Sequence, residues 1–99
     1  MANTTVALIG YGYWGPNLLR NYMELPTADV RWVCDSRPER LAKATERYPA
    51  VRTTTQIADV LDDPEVDAVL IATPIGSHYE LSMKALRAGK HVFVGSPWP

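Results

Sequence analysis

The sequence predicts an α/β domain built on a doubly wound parallel sheet of about five strands in the order 3-2-1-4-5. An uninterrupted apolar run at residues 6–9, and a second run at 66–72 broken only by Asp67, suit strands buried on both faces. The stretches between such runs carry apolar residues at three- and four-residue spacing, the pattern of helices with one buried face. Those stretches are also long enough for the right-handed crossovers that parallel neighbours require. A chain of 99 residues holds one such domain and leaves no room for a second core.

The first strand, residues 6–9, runs into the glycine-rich stretch from Gly10 to Gly15. A helix follows, with Leu18, Leu19, Tyr22 and Leu25 on one face and Pro26 as its stop. Pro16 fits the first turn, where an amide has no intrahelical acceptor to lose. Residues 30–34 read as the second strand. Ser36 and Glu39 have the spacing of a capping box, which predicts a second helix from there to about Tyr48. Residues 51–53 make a short third strand, and Ile57, Val60 and Leu61 mark a short helix ended by Asp62, Asp63 and Pro64. After the fourth strand, residues 66–72, Ser77 and Glu80 repeat the capping-box spacing. Leu81, Ala85 and Leu86 supply that helix's apolar face, and Gly89 stands where a C-terminal cap belongs. Residues 91–94 form the fifth strand. A sheet of this kind ordinarily continues to a sixth, so a chain ending at residue 99 is expected to be truncated, with an unpaired apolar edge.

Composition excludes several functions. An apolar fraction of 46% and a charged fraction of 21% are those of an ordinary globular protein, and a formal net charge of −1 offers no long-range pull on nucleic acid or an anionic membrane. The apolar runs are too short to span a bilayer, and Asn3, Thr4 and Thr5 are no basic start of a secretion signal. One cysteine, Cys34, makes no internal disulfide and no metal cluster, which fits a reducing cytoplasm.

Gly10, Gly12 and Gly15 form G-x-G-x-x-G between the first strand and the first helix. At this place the first glycine permits a tight turn, the second lets a pyrophosphate approach the backbone, and the third lets helix and strand pack closely. The free amides and the dipole of the helix N-terminus then hold phosphate without a lysine. This is the Rossmann dinucleotide-binding fingerprint. Asp35 ends the second strand twenty residues after Gly15, where a carboxylate accepts from the hydroxyls of the adenosine ribose, favouring NAD. A 2′-phosphate would meet that charge at close range, while Arg37 offsets it and keeps NADP admissible. The plainer reading makes the glycines a simple loop and Asp35 a helix cap; the agreement of strand, loop, helix and acid counts against it. Tyr13 and Trp14 either wall the loop or pack, with packing the safer reading for Trp14. Thr73 and Pro74 leave the fourth strand at the edge of the sheet where ligands bind in such folds. His78 either faces the nicotinamide end or is merely solvated in a helix's first turn. Cys34, inside a strand and away from an activating base, reads as inert core.

From residue 4 to 94 the sequence resembles the glucose-fructose oxidoreductase, inositol dehydrogenase and MocA group (Gfo/Idh/MocA). The resemblance rests on the run from Gly10 to Asn17, on Asp35 with Arg37, on Ala72, Thr73 and Pro74 with His78, and on the run from Ala88 to Val94. It implies that Asp35 binds the adenosine ribose, that Arg37 lies against the adenine, and that Thr73, Pro74 and His78 line the path to the nicotinamide. With Gly10, Gly12, Tyr13, Trp14, Gly15 and Ser36, these residues form the candidate cofactor set. The group continues after the fifth strand with Glu-Lys-Pro, whose lysine assists proton transfer, and with a substrate domain. Here Gly95, Ser96 and Pro97 stand instead, so no catalytic residue and no metal ligand are assigned. A single lost base is one expected cause of that tail: were the parent encoded GTG GAG AAG CCC CTG GCC, loss of the A of its glutamate codon would give Val-Gly-Ser-Pro-Trp-Pro, the sequence of residues 94–99.

The expected function is therefore dinucleotide binding, by a module of an oxidoreductase for a sugar, nucleotide-sugar or polyol that turns nothing over alone. The alternative is a self-association module acting through the fifth-strand edge, and a homo-oligomer is expected on either reading. Catalysis in trans with a separate substrate domain would need a lysine from elsewhere. A methyltransferase fits poorly, because its cofactor carries no pyrophosphate.

Overall fold

The computed structural model describes residues 3–12, 14–73 and 75–94, with the side chain of Ile75 left aside. The expectations placed on Tyr13, Pro74 and residues 95–97 lie outside the described residues. Five strands alternate with four helices: β1 Thr4–Ile9, α1 Gly15–Met23, β2 Ala28–Cys34, α2 Pro38–Arg47, β3 Arg52–Thr54, α3 Ile57–Leu61, β4 Ala68–Ile71, α4 His78–Arg87 and β5 His91–Val94, with a 3₁₀ turn Ile75–Ser77 before α4. The strands form one parallel sheet in the expected order β3-β2-β1-β4-β5.

Alternation along β1 divides the core. Val6 and Leu8 point to a cluster with Leu19 of α1 and with Leu41 and Ala44 of α2, whereas Ala7 and Ile9 point to one with Val60 of α3 and Ala85 of α4. Two helices thus cover each face. Gly89 has φ +81°, its N–H donates to the Leu86 carbonyl, and the Lys90 N–H donates to the Ala85 carbonyl, the paired bonds of a glycine-terminated helix.

Both expected capping boxes are absent. The N-cap of α2 is Arg37, in extended conformation, because Pro38 supplies a preset φ at the helix start and forces its predecessor out of the helical region. Before α4 the 3₁₀ turn puts Ser77 itself in helical conformation, and its hydroxyl donates to Thr73 Oγ1 at 3.0 Å instead of capping. Four strands also depart from their expected bounds, β1 and β2 each by starting two residues earlier. β3 lies one residue later, and β4 is shorter because Val66 donates its N–H to the Asp63 carbonyl in a turn.

At the amino-terminal end of the sheet, the β1–β2 register shifts between Val6 and Ala7, leaving Arg31 as the extra residue. Such a bulge re-aims adjacent side chains. Arg31 Nε and Trp32 Nε1 both donate to Asp63 Oδ2, at 2.5 and 2.7 Å, and the buried Lys90 amine donates to the Asp63 carbonyl at 2.7 Å. The Arg31 and Trp32 bonds hold the Asp63 carboxyl, its side chain 10% exposed, well below the usual carboxylate range, against the opposing effect of desolvation. A carboxylate depressed on folding stabilises fully above its unfolded pKa of about 4, and that stabilisation is lost as pH falls through the folded value. Asp63→Asn should therefore cost about 2 kcal/mol at pH 7 and flatten the fall of stability below pH 4. Urea denaturation across pH 2–7 checks both parts.

Candidate functional site

The carboxyl ends of β1, β2 and β4 meet at the place where the chain's crossovers change direction, and a cleft of ≈ 640 Å³ opens there. That lies within the range of about 300–1,000 Å³ usual for small-molecule sites. Gly10, Gly12 and Trp14 form its floor. Cys34, Asp35, Ser36, Arg40 and Thr55–Ile57 line it on the β2 side, and Ala72, Thr73, Ser77, Glu80 and Leu81 on the β4 side.

The floor is set by close backbone contacts. Gly10 has φ +101°, a region that side chains disfavour, and a Cβ there would stand 3.0 Å from the Ala72 carbonyl and Thr73 Cγ2. Its N–H donates to the Cys34 carbonyl at 2.7 Å, so the loop leaves the sheet pinned between β2 and β4. A Cβ on Gly15 would collide with the Gly10 carbonyl oxygen, which is why α1 can start so close to β1. Trp14 is the N-cap of α1 and packs, half-buried, against the α1–α2 side of the core while also facing the cleft.

Asp35 is buried, its side chain 3% exposed. Oδ2 accepts the Tyr11 N–H at 2.7 Å and Oδ1 accepts the Arg37 N–H at 2.9 Å, so one carboxylate joins the glycine loop to the start of α2. Arg40 Nη1 lies 3.5 Å from Oδ2, and the same guanidinium stands 3.0 Å from where a Gly12 Cβ would be. Beside them, burial together with the charges of Asp35 and Asp59 pushes the Cys34 thiol up to about 11, so it stays protonated at neutral pH. The β3–α3 turn is fixed by the Thr54 hydroxyl, which donates to Asp59 Oδ2 and accepts the Gln56 N–H.

Of the candidate residues, the structure brings Gly10, Gly12, Trp14, Asp35, Ser36 and Thr73 into one cleft. Gly15 lies buried beneath it, and Arg37 takes part through its backbone. His78 is not among the lining residues; its Nε2 meets the Thr73 carbonyl at 2.5 Å. Sequence reasoning missed Arg40, which reads as one more solvated helix charge, although its place three residues after Arg37 in the first turn of α2 was a usable signal. It also missed the β3–α3 turn and the inward face of α4, Glu80 with Leu81. Among the described residues no helix is long and apolar enough to cross a membrane.

Comparison with known proteins agrees with this arrangement. The family model described as "Oxidoreductase family, NAD-binding Rossmann fold" (GFO_IDH_MocA) matches residues 4–98. Levoglucosan dehydrogenase of Pseudarthrobacter phenanthrenivorans is 33% identical over 98% of this chain and 27% of its own length. The crystal structure of GenD2 from gentamicin A biosynthesis, in complex with NAD, is 29% identical with a TM-score of 0.88, over 95% of this chain and 27% of that one. A 3-ketoreductase from Actinomadura kijaniata, in complex with NADP and TDP-benzene, is 29% identical with a TM-score of 0.87, over 96% of this chain and 29% of that one. The chain spans about a quarter of the length of the curated relatives it matches.

Proposed function

The chain belongs to the Gfo/Idh/MocA oxidoreductases as their NAD-binding Rossmann domain, and we propose that it serves an oxidoreductase acting on a sugar, nucleotide-sugar or polyol, binding NAD in preference to NADP and turning nothing over by itself. One observation carries the reading: the pinned glycine loop and the buried Asp35 carboxylate face a single cleft at the carboxyl ends of the strands.

The residues present fit a dinucleotide. Gly10 and Gly12 leave the backbone bare where a pyrophosphate would approach, and the amino end of α1 favours its charge. Asp35, with acceptor capacity left on Oδ1, would accept from the adenosine ribose, while Ser36, Arg37 and Arg40 surround that end. A dinucleotide laid across the loop then places its other nucleoside toward Thr73 and Ser77 on the β4 side. The bound nicotinamide supplies hydride transfer; these residues orient it and exclude water, and substrate-contacting groups are assigned to other parts of the enzyme.

A second reading, self-association, is favoured by Phe93 and Val94, 54% and 49% exposed on the edge strand β5. Calorimetric titration with NAD and NADP, run at several protein concentrations beside light scattering, tests both. Saturable binding about tenfold tighter for NAD is expected, since close approach of a 2′-phosphate to Asp35 costs on the order of 1 kcal/mol. Binding of neither nucleotide would sink the first reading, and a mass that stays monomeric at every concentration would sink the second.

A further inference from the structure

Thr73 is fastened from three sides. Its Cγ2 stands 3.0 Å from where a Gly10 Cβ would be, its hydroxyl accepts from Ser77 at 3.0 Å, and its carbonyl receives His78 Nε2 at 2.5 Å. A carbonyl oxygen only accepts, so the histidine must be the donor. This requires the Nε2–H form of the ring. His78 thus sits behind the cleft wall, in contact with a residue that lines the cleft, and does not line it itself.

From this arrangement we propose that His78 is a positioning residue for cofactor binding: it holds the Thr73 peptide in one orientation and so fixes the β4 wall that receives the nicotinamide half of the dinucleotide. The inference rests on the dinucleotide reading of the cleft. Its physical basis is the chemistry of the β4 exit. The peptide after Thr73 has no N–H, because residue 74 is proline, and cannot be secured by a donor of its own. The strand has ended at Ile71, and the backbone bond from the Ala72 N–H to the Ile9 carbonyl, at 2.8 Å, holds the chain only up to the residue before Thr73. The side chain five residues later restrains the carbonyl instead. The adenosine end would rest on Asp35, Ser36 and Arg40, which line the cleft on the β2 side, whereas Thr73 lines it on the β4 side.

The position makes the effect selective for one half of the ligand. The experiment titrates the unsubstituted chain, His78→Ala and His78→Gln with two probes, NAD and ADP-ribose, after thermal melting has verified folding. His78→Ala should bind NAD about five- to tenfold more weakly, the loss of one hydrogen bond, and ADP-ribose within about twofold of the unsubstituted chain. His78→Gln, which keeps a donor, should recover most of the NAD affinity. Equal losses for both probes, unchanged NAD binding in His78→Ala, or no recovery with glutamine would overturn the proposal. Failure of the unsubstituted chain to bind either probe would overturn the dinucleotide reading and this inference with it, an outcome distinct from the other three. Nitrogen NMR of the unsubstituted protein gives a readout that needs no variant: the neutral ring should carry its proton on Nε2, and a proton on Nδ1 would also overturn the proposal.

Discussion

Alanine in place of Gly15 is expected to remove measurable NAD binding and to lower stability by about 2 kcal/mol or more, the cost of forcing an atom into a filled site. The added methyl group would meet the Gly10 carbonyl oxygen, and Gly10 has nowhere to go. Its amide is bonded to Cys34, and Ala72 and Thr73 close off the other side. Strain at Gly15 therefore reaches β1, β2 and β4 together and shifts the amino end of α1 from the phosphate position. Losing about 3 kcal/mol of phosphate interaction would weaken binding roughly 100-fold. Urea denaturation and calorimetry measure the two effects, with Gly76→Ala as control: its methyl group would meet nothing within 4 Å, so both quantities should stay unchanged. A Gly15→Ala protein that binds NAD normally would refute the assigned role of this turn.

The second large effect is expected at Asp35. Asp35→Ala leaves the Tyr11 and Arg37 amides without their carboxylate, and an unsatisfied buried donor costs about 1–3 kcal/mol, so a stability loss of about 2 kcal/mol or more is expected. The same change removes the acceptor for the ribose and the charge that repels a 2′-phosphate. NAD affinity should fall by about a hundredfold and NADP affinity by much less, narrowing or reversing the preference, with Arg40 released from its ion pair to meet the phosphate. Parallel titrations with the two nucleotides decide the matter; equal losses would mean that Asp35 acts only through the loop it braces.

The sheet order was legible because it follows from apolar runs and connection lengths, which leave one handed solution for residues 1–94. The glycine loop was legible because few other uses explain three glycines at that spacing after a buried strand. What escaped prediction depends on competition between local groups. Ser36 and Glu39 have capping spacing, but Pro38 fixes the helix start and Asp35 already satisfies the Arg37 amide. Ser77 has the same spacing, yet the preceding 3₁₀ turn holds its backbone in the helical region, where the hydroxyl oxygen does not reach the helix amides. Arg40 escaped for a related reason. It is polar and near a helix start, where solvation is the default, and it is drawn inward by a partner that three-dimensional packing alone brings close. The bulge at Arg31 left no trace in the periodicity, because Asp63, which both Arg31 and Trp32 reach, is 32 and 31 residues away from them in sequence.

The buried amine of Lys90 gives the chain a chemical clock. Of the three lysines, Lys43 and Lys84 are exposed and acylating reagents reach them by simple collision, whereas Lys90 is shielded and bonded to the Asp63 carbonyl. Its acylation must wait until β5 and the turn before β4 separate. The rate at which Lys90 is labelled, set against that of the other two, therefore reports how often this end of the sheet opens, whether locally or with the whole domain.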